Sequence, residues 1–149
     1  NNEKIKIKLD YYFPTEKYKR KVNKTLRDIE KSVIFLGPIK NVPQVMAASD
    51  VIVFPATVGH FARPIIEAGF MKRAVVASNL PPLDELVIDG KTGFLIDPKN
   101  FDLWADKLFL LLNNEKLKDQ MGCEALDFCK KRFDVLDQIK KIQNVYEEL

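Results

Sequence analysis

Four short apolar runs constrain this chain more than any other feature: Val33-Ile34-Phe35-Leu36, Val51-Ile52-Val53-Phe54, Ala74-Val75-Val76-Ala77 and Phe94-Leu95-Ile96. Each is continuous where a half-buried strand would alternate, and each is too short for a helix. That is the pattern of strands covered on both faces, as in a parallel sheet. Gly37-Pro38 closes the first run and Pro55 the second. Helical spacing separates the runs. It predicts a short helix over 42–48 with Pro43 in its first turn, a helix over 62–71 and a short helix over 83–88. Ahead of the first run, Lys4-Ile5-Lys6-Ile7-Lys8-Leu9 alternates strictly, which suits an exposed or edge strand. Pro14-Thr15-Glu16 then opens a helix carrying Tyr18, Val22, Leu26 and Ile29 and ending near Ser32. Beyond Pro98 the chain reads as three helices, a helical tail over about 100–149. Strands alternating with helices predict a single α/β domain built on a parallel sheet with helices on both faces. Ligands in such sheets sit outside the carboxyl ends of the strands, which selects the loops after Leu36, Phe54 and Ala77.

Composition narrows the class. With 149 residues, 46% hydrophobic and 30% charged, the chain is long enough for a sizeable core and too apolar for disorder. No apolar run approaches the roughly 20 residues of a membrane span. Asn1-Asn2-Glu3-Lys4 begins no signal-peptide core. Two cysteines make neither a disulfide scaffold nor a four-thiolate zinc site, and with the missing signal they predict a cytoplasmic setting. A net charge of +3 is too mild for a nucleic-acid binder. Residues 1–32 nevertheless carry ten basic and five acidic side chains. This stretch is either a solvated helix face or a contact with an anionic surface, membrane or phosphorylated acceptor.

Several motifs fail on inspection. Gly90-Lys91-Thr92 resembles the end of a phosphate-binding P-loop, but the required earlier glycine is Glu85 and a strand follows, so it is a turn. The six glycines nowhere form a dinucleotide fingerprint. His60 is the single histidine and no Asp-x-Asp pair exists, so no metal is expected. Cys123 and Cys129 stand about 240° apart around a helix and cannot clasp one ion. Trp104 is a core or interface anchor.

What remains is the corner from Phe54 through Gly59, His60, Phe61, Ala62 and Arg63 to Glu67. A strand runs into a loop that opens a helix. The first amides of that helix lack internal partners and, with the helix dipole, can hold an anion. Gly59 and Ala62 are small enough for a ligand to approach the backbone. Arg63 or His60 can meet a phosphate, and Glu67 can accept hydrogen bonds from a vicinal diol such as a ribose. The plainer alternative is an ordinary β-α corner with Glu67 facing solvent.

His60-Phe61-Ala62-Arg63-Pro64-Ile65-Ile66-Glu67-Ala68 resembles the signature of retaining, nucleotide-sugar-dependent glycosyltransferases with the GT-B fold, usually written Glu-Gly-Phe-Gly-x-Pro-x-x-Glu-Ala. The blocks at 33–37, 49–55, 74–79, 83–87 and 89–98 fit the same family in order, so the resemblance extends over about 5–112. It implies a Rossmann-like carboxyl-terminal, donor-binding half of a GT-B enzyme, lacking its first strand. A nucleotide diphosphate sugar is the implied donor, used without metal, and the sugar passes to an acceptor with retained configuration. Glu67 is implied to bind the ribose, the backbone at Phe61, Ala62 and Arg63 to face the sugar and distal phosphate, and Gly37, Pro38 and Ile39 to line the base.

The sequence departs from that pattern in three ways. Gly59 stands where the first glutamate of the motif belongs, and Pro81-Pro82 replaces the usual Gly-Gly. The arginine- and lysine-bearing loop that clamps the diphosphate, and the amino-terminal acceptor domain, are expected to lie outside this chain. Two rival readings follow: a binding or scaffold relative that kept the fold and lost transfer, and a GT-B-like sugar-nucleotide epimerase.

Overall fold

The computed structural model describes residues 7–9, 33–35 and 39–148. The helix expected between Pro14 and Ser32, the start of the alternating segment, and Gly37 and Pro38 lie outside the described residues. The chain forms two units, Asn1–Asn41 and Val42–Leu149. In the first, β1 (Ile7–Leu9) pairs in parallel with β2 (Val33–Phe35), Ile7 opposite Val33.

The second unit runs α1 (Val42–Ala47), β3 (Val51–Phe54), α2 (Arg63–Phe70), β4 (Ala74–Ser78), a 3-10 turn (Leu83–Glu85), β5 (Gly93–Ile96), α3 (Phe101–Asn113), α4 (Glu115–Arg132) and α5 (Val135–Glu147). Its sheet has the order β3-β4-β5 and is wholly parallel, with Val51 opposite Ala74 and Val75 opposite Gly93. This is the expected α/β, Rossmann-like arrangement. All five residues of β4 are buried. Val75 and Ala77 enter one core with Ala62, Ile65 and Leu83, while Ala74 and Val76 enter a second with Trp104, Leu111 and Met121. Alternate residues of one strand thus feed two cores, which is why its sequence shows no alternation. Fully burying a side chain such as Val76 contributes about 1.5–3 kcal/mol.

Two expectations shift. The run 51–54 is expected to be covered on both faces, but Val53 is 39% exposed. The segment 83–88 closes as a single 3-10 turn, Leu83–Glu85, not a longer helix. The tail holds the three expected helices, each started by a side chain accepting from a backbone amide: Asn100 from Leu103, Asn114 from Leu117 and Asp134 from Asp137. Trp104 is a core residue, and its indole Nε1 donates to the Asp97 carbonyl at 3.1 Å. At Gly69 a Cβ would meet the Cys129 Sγ, so α2 lies tightly against α4. Burial pushes the Cys129 thiol up to about 11, which leaves it protonated and inert near neutrality.

Candidate functional site

β3 ends at Phe54, and the next eight residues lead to α2 without regular structure. Two contacts from the carboxyl end of β4 fix this loop. The Ser78 hydroxyl, fully buried, donates to the Ala56 carbonyl at 2.7 Å. Three residues further on, the Pro81 carbonyl oxygen fills the space a Cβ at Gly59 would need. The absence of a Cβ at Gly59 therefore makes room for the protein's own backbone. Pro81 and Pro82 are joined by a cis peptide bond.

His60 is exposed but not loose. Its ring lies 5.5 Å from that of Phe54, tilted by 52°, and Nδ1 is 3.0 Å from the Val58 carbonyl. A carbonyl only accepts, so Nδ1 carries the hydrogen and, in the neutral ring, Nε2 is left as an acceptor. Val58 and Phe61 expose most of their apolar side chains on the same loop.

The free donors at the amino terminus of α2 differ from those expected. Pro64, its second residue, has no N–H, and the Ile65 amide turns back to the Ala62 carbonyl at 3.1 Å. The unanswered amides are instead those of Phe61, Ala62 and Arg63: among the described residues, no backbone or side-chain group accepts from them. Ala62 is 1% exposed, so its orphan N–H is a desolvated donor, a state that costs about 1–3 kcal/mol until an acceptor arrives. No side chain caps this helix. The small residue at 62 packs into the core beside Ile65 and Ala68, and so draws the turn down onto the sheet edge.

Arg63 and Glu67 are both exposed and four residues apart on α2, which places them on one face. They form no ion pair with each other, and no other described group engages either charge. The order Arg before Glu is the weaker orientation for pairing along a helix. Both charges therefore remain available to a ligand. Ile39 is half-buried outside regular structure, in the first unit. No group of three potential metal ligands occurs among the described residues. Nor is any described helix long and apolar enough to cross a membrane. Gly90 takes a positive φ of 72° in the turn before β5, and Asp89 caps that turn by accepting from the Leu95 amide at 2.9 Å.

Sequence reasoning missed Ser78 as a site residue. Its signal was a lone hydroxyl ending an apolar strand, and its role is to hold the neighbouring loop. The hollow of about 480 Å³ lined by Phe70, Lys130, Phe133, Asp134, Val135 and Leu136 involves neither of the two loops.

Comparison with known proteins identifies a family. Residues 14–127 match the family described as Glycosyl transferases group 1. The chain is 31% identical over 109 residues to a D-inositol 3-phosphate glycosyltransferase of Corynebacterium diphtheriae, covering 73% of this chain and 25% of that relative. Among solved structures it resembles Anabaena HepE in complex with UDP, with a TM-score of 0.88 and 27% identity over 93% of this chain and 39% of HepE. HepE in complex with UDP-glucose superposes with a TM-score of 0.84 at 27% identity, covering 92% of this chain and 38% of that one. The chain thus spans a quarter to two fifths of the length of these relatives.

Proposed function

The chain belongs to the glycosyl transferases group 1 family, and on that premise we propose that its second unit is the donor-binding wall of a glycosyltransferase that takes a nucleotide diphosphate sugar. The observation that carries this is the run of unanswered amides at Phe61, Ala62 and Arg63, one of them buried. Three successive N–H groups at a helix start suit a diphosphate oxygen. Arg63 adds a cation for the phosphates, and Glu67, unpaired on the same helix, accepts from the ribose hydroxyls. HepE holds UDP and UDP-glucose, which supports a donor of that chemical class here.

The chemistry asked of this wall is modest and specific. The bond between the sugar's anomeric carbon and the diphosphate oxygen breaks, and a bond from that carbon to an acceptor oxygen forms with retention. Charge grows on the departing diphosphate, so fixed donors aimed there stabilise the transition state more than the ground state. Arg63 and the helix start supply that stabilisation without a metal. The acceptor is held by a facing domain, in keeping with relatives much longer than this chain.

The test is a titration followed by amide chemical shifts. Adding UDP, GDP or ADP, bare or carrying glucose or mannose, is expected to move the Phe61, Ala62 and Arg63 amides most strongly. Shifts confined to other segments, or no response to any of these compounds, would refute the assignment.

A further inference from the structure

The two departures from the family pattern touch each other. Gly59 replaces the first carboxylate of the motif, Pro81 stands in the usual glycine pair, and the Pro81 carbonyl occupies the place of a Cβ at 59. The obstacle is backbone, so no side chain at 59 can be accommodated unless the loop itself moves. Ser78, donating to Ala56, holds the same two loops together a few residues away. The site therefore has no carboxylate at this position and is built so as not to take one.

The next residue carries the polar group instead. Phe54 flanks the His60 ring, and Nδ1 is spent on the Val58 carbonyl. Neutral imidazole held in this way presents an acceptor at Nε2. A phosphate oxygen offers that atom no hydrogen, whereas a sugar hydroxyl does.

We propose that His60, through Nε2, is the side chain that reads a hydroxyl of the donor sugar, with Gly59 and Pro81 as the positioning residues that lock its loop. The proposal rests on the donor-binding reading above. It makes imidazole, not carboxylate, the determinant of sugar preference in this chain.

The experiment compares bare and sugar-bearing nucleotides on the same protein by calorimetric titration. UDP, GDP and ADP and their glucose and mannose conjugates are screened first, and the tightest pair is carried forward. All titrations are run at pH 8. His60→Ala is expected to weaken the sugar-bearing nucleotide about tenfold, the loss of one hydrogen bond of about 1.4 kcal/mol. The bare diphosphate should change less than about twofold. His60→Gln, which keeps an acceptor near the Nε2 position, should recover most of the loss. Gly59→Glu should give no gain in affinity for the sugar-bearing form and a lower melting temperature. Equal weakening of both ligands by His60→Ala would place the residue at the phosphates or in loop packing only, and overturn the proposal; so would no change in either. A gain on Gly59→Glu would overturn the lock, while the His60 variants remain informative if that protein does not fold. A parent that binds none of the six conjugates overturns the donor-binding reading, and this proposal with it.

Discussion

Glu67→Gln separates binding from folding. In the structure the carboxylate is exposed and no described group contacts it. Exposed substitutions of this kind change stability by about 0.5 kcal/mol or less. At the length of this chain that is a shift of a few degrees at most in the melting temperature. Binding is another matter. A carboxylate accepting from two ribose hydroxyls makes charge-assisted bonds, worth about 1.5–3 kcal/mol when lost. At about 1.4 kcal/mol per factor of ten, nucleotide affinity should fall by about ten- to a hundredfold. Glutamine keeps the shape and one acceptor, so the lower half of that span is expected. The assay is a titration of parent and variant with the preferred diphosphate, alongside a thermal melt of each. A melt unchanged within a few degrees together with the affinity loss confirms the argument. Equal affinities in parent and variant would remove Glu67 from the site, and a large drop in melting temperature would mean that it has a structural partner after all.

Three further outcomes follow from the packing. Ser78→Ala removes a buried 2.7 Å hydrogen bond and strands the Ala56 carbonyl, which should cost about 1–3 kcal/mol in a denaturant titration and loosen the β3–α2 loop; an unchanged midpoint would refute it. The Cys129 thiol, raised by burial to about 11 from 9.0, stays protonated in the folded state while the unfolded chain loses its proton, so its stabilising contribution is full below pH 9 and disappears as pH rises toward 11. Chemical unfolding across that window should show a decline that Cys129→Ala abolishes, and native alkylation should modify only the exposed Cys123; a parent and variant with the same slope, or rapid native labelling of Cys129, would contradict this. Finally, these 149 residues alone should bind the donor weakly, on the order of 0.1–1 mM, and transfer no sugar, because one wall neither excludes water nor positions an acceptor. Leu136, Ile139, Ile142 and Val145 lie exposed on α5, so sedimentation should reveal self-association that Ile142→Asp reverses; robust transfer, or a monomer at all concentrations, would count against the reading.

The sheet was legible because its strands are short, continuous and closed by Pro or Gly, and the two cores fed by β4 explain that pattern in full. What the sequence could not show is which residues of a strand are covered. Val51-Ile52-Val53-Phe54 is as apolar as the central run, yet Val53 is exposed, since apolar content records the capacity for burial and not the presence of a neighbour. The final helix presents the same ambiguity at larger scale. Leu136, Ile139, Ile142 and Val145 are spaced as the apolar face of a helix, and all four are exposed.

The site divides in the same way between composition and contact. Arg63 and Glu67 were singled out by their places in the resembled motif, and the fold sets them on one face of α2. The free amides were only half identifiable: Pro64 removes one donor and Ile65 uses another, which leaves the free donors upstream, at Phe61, Ala62 and Arg63. Gly59 and Pro81 were visible as two separate losses, a missing carboxylate and a stiffened loop. In the fold they are a single contact, with the carbonyl of one filling the space left by the other. Read singly, each change argues for a decayed enzyme. Read as a pair, they describe a loop rebuilt around a different polar group, because a carbonyl in that place excludes the carboxylate while the adjacent His60 is anchored at Nδ1 with Nε2 free to accept. A carboxylate placed at position 59 should therefore impair donor binding by this chain, and sugar preference should follow the imidazole.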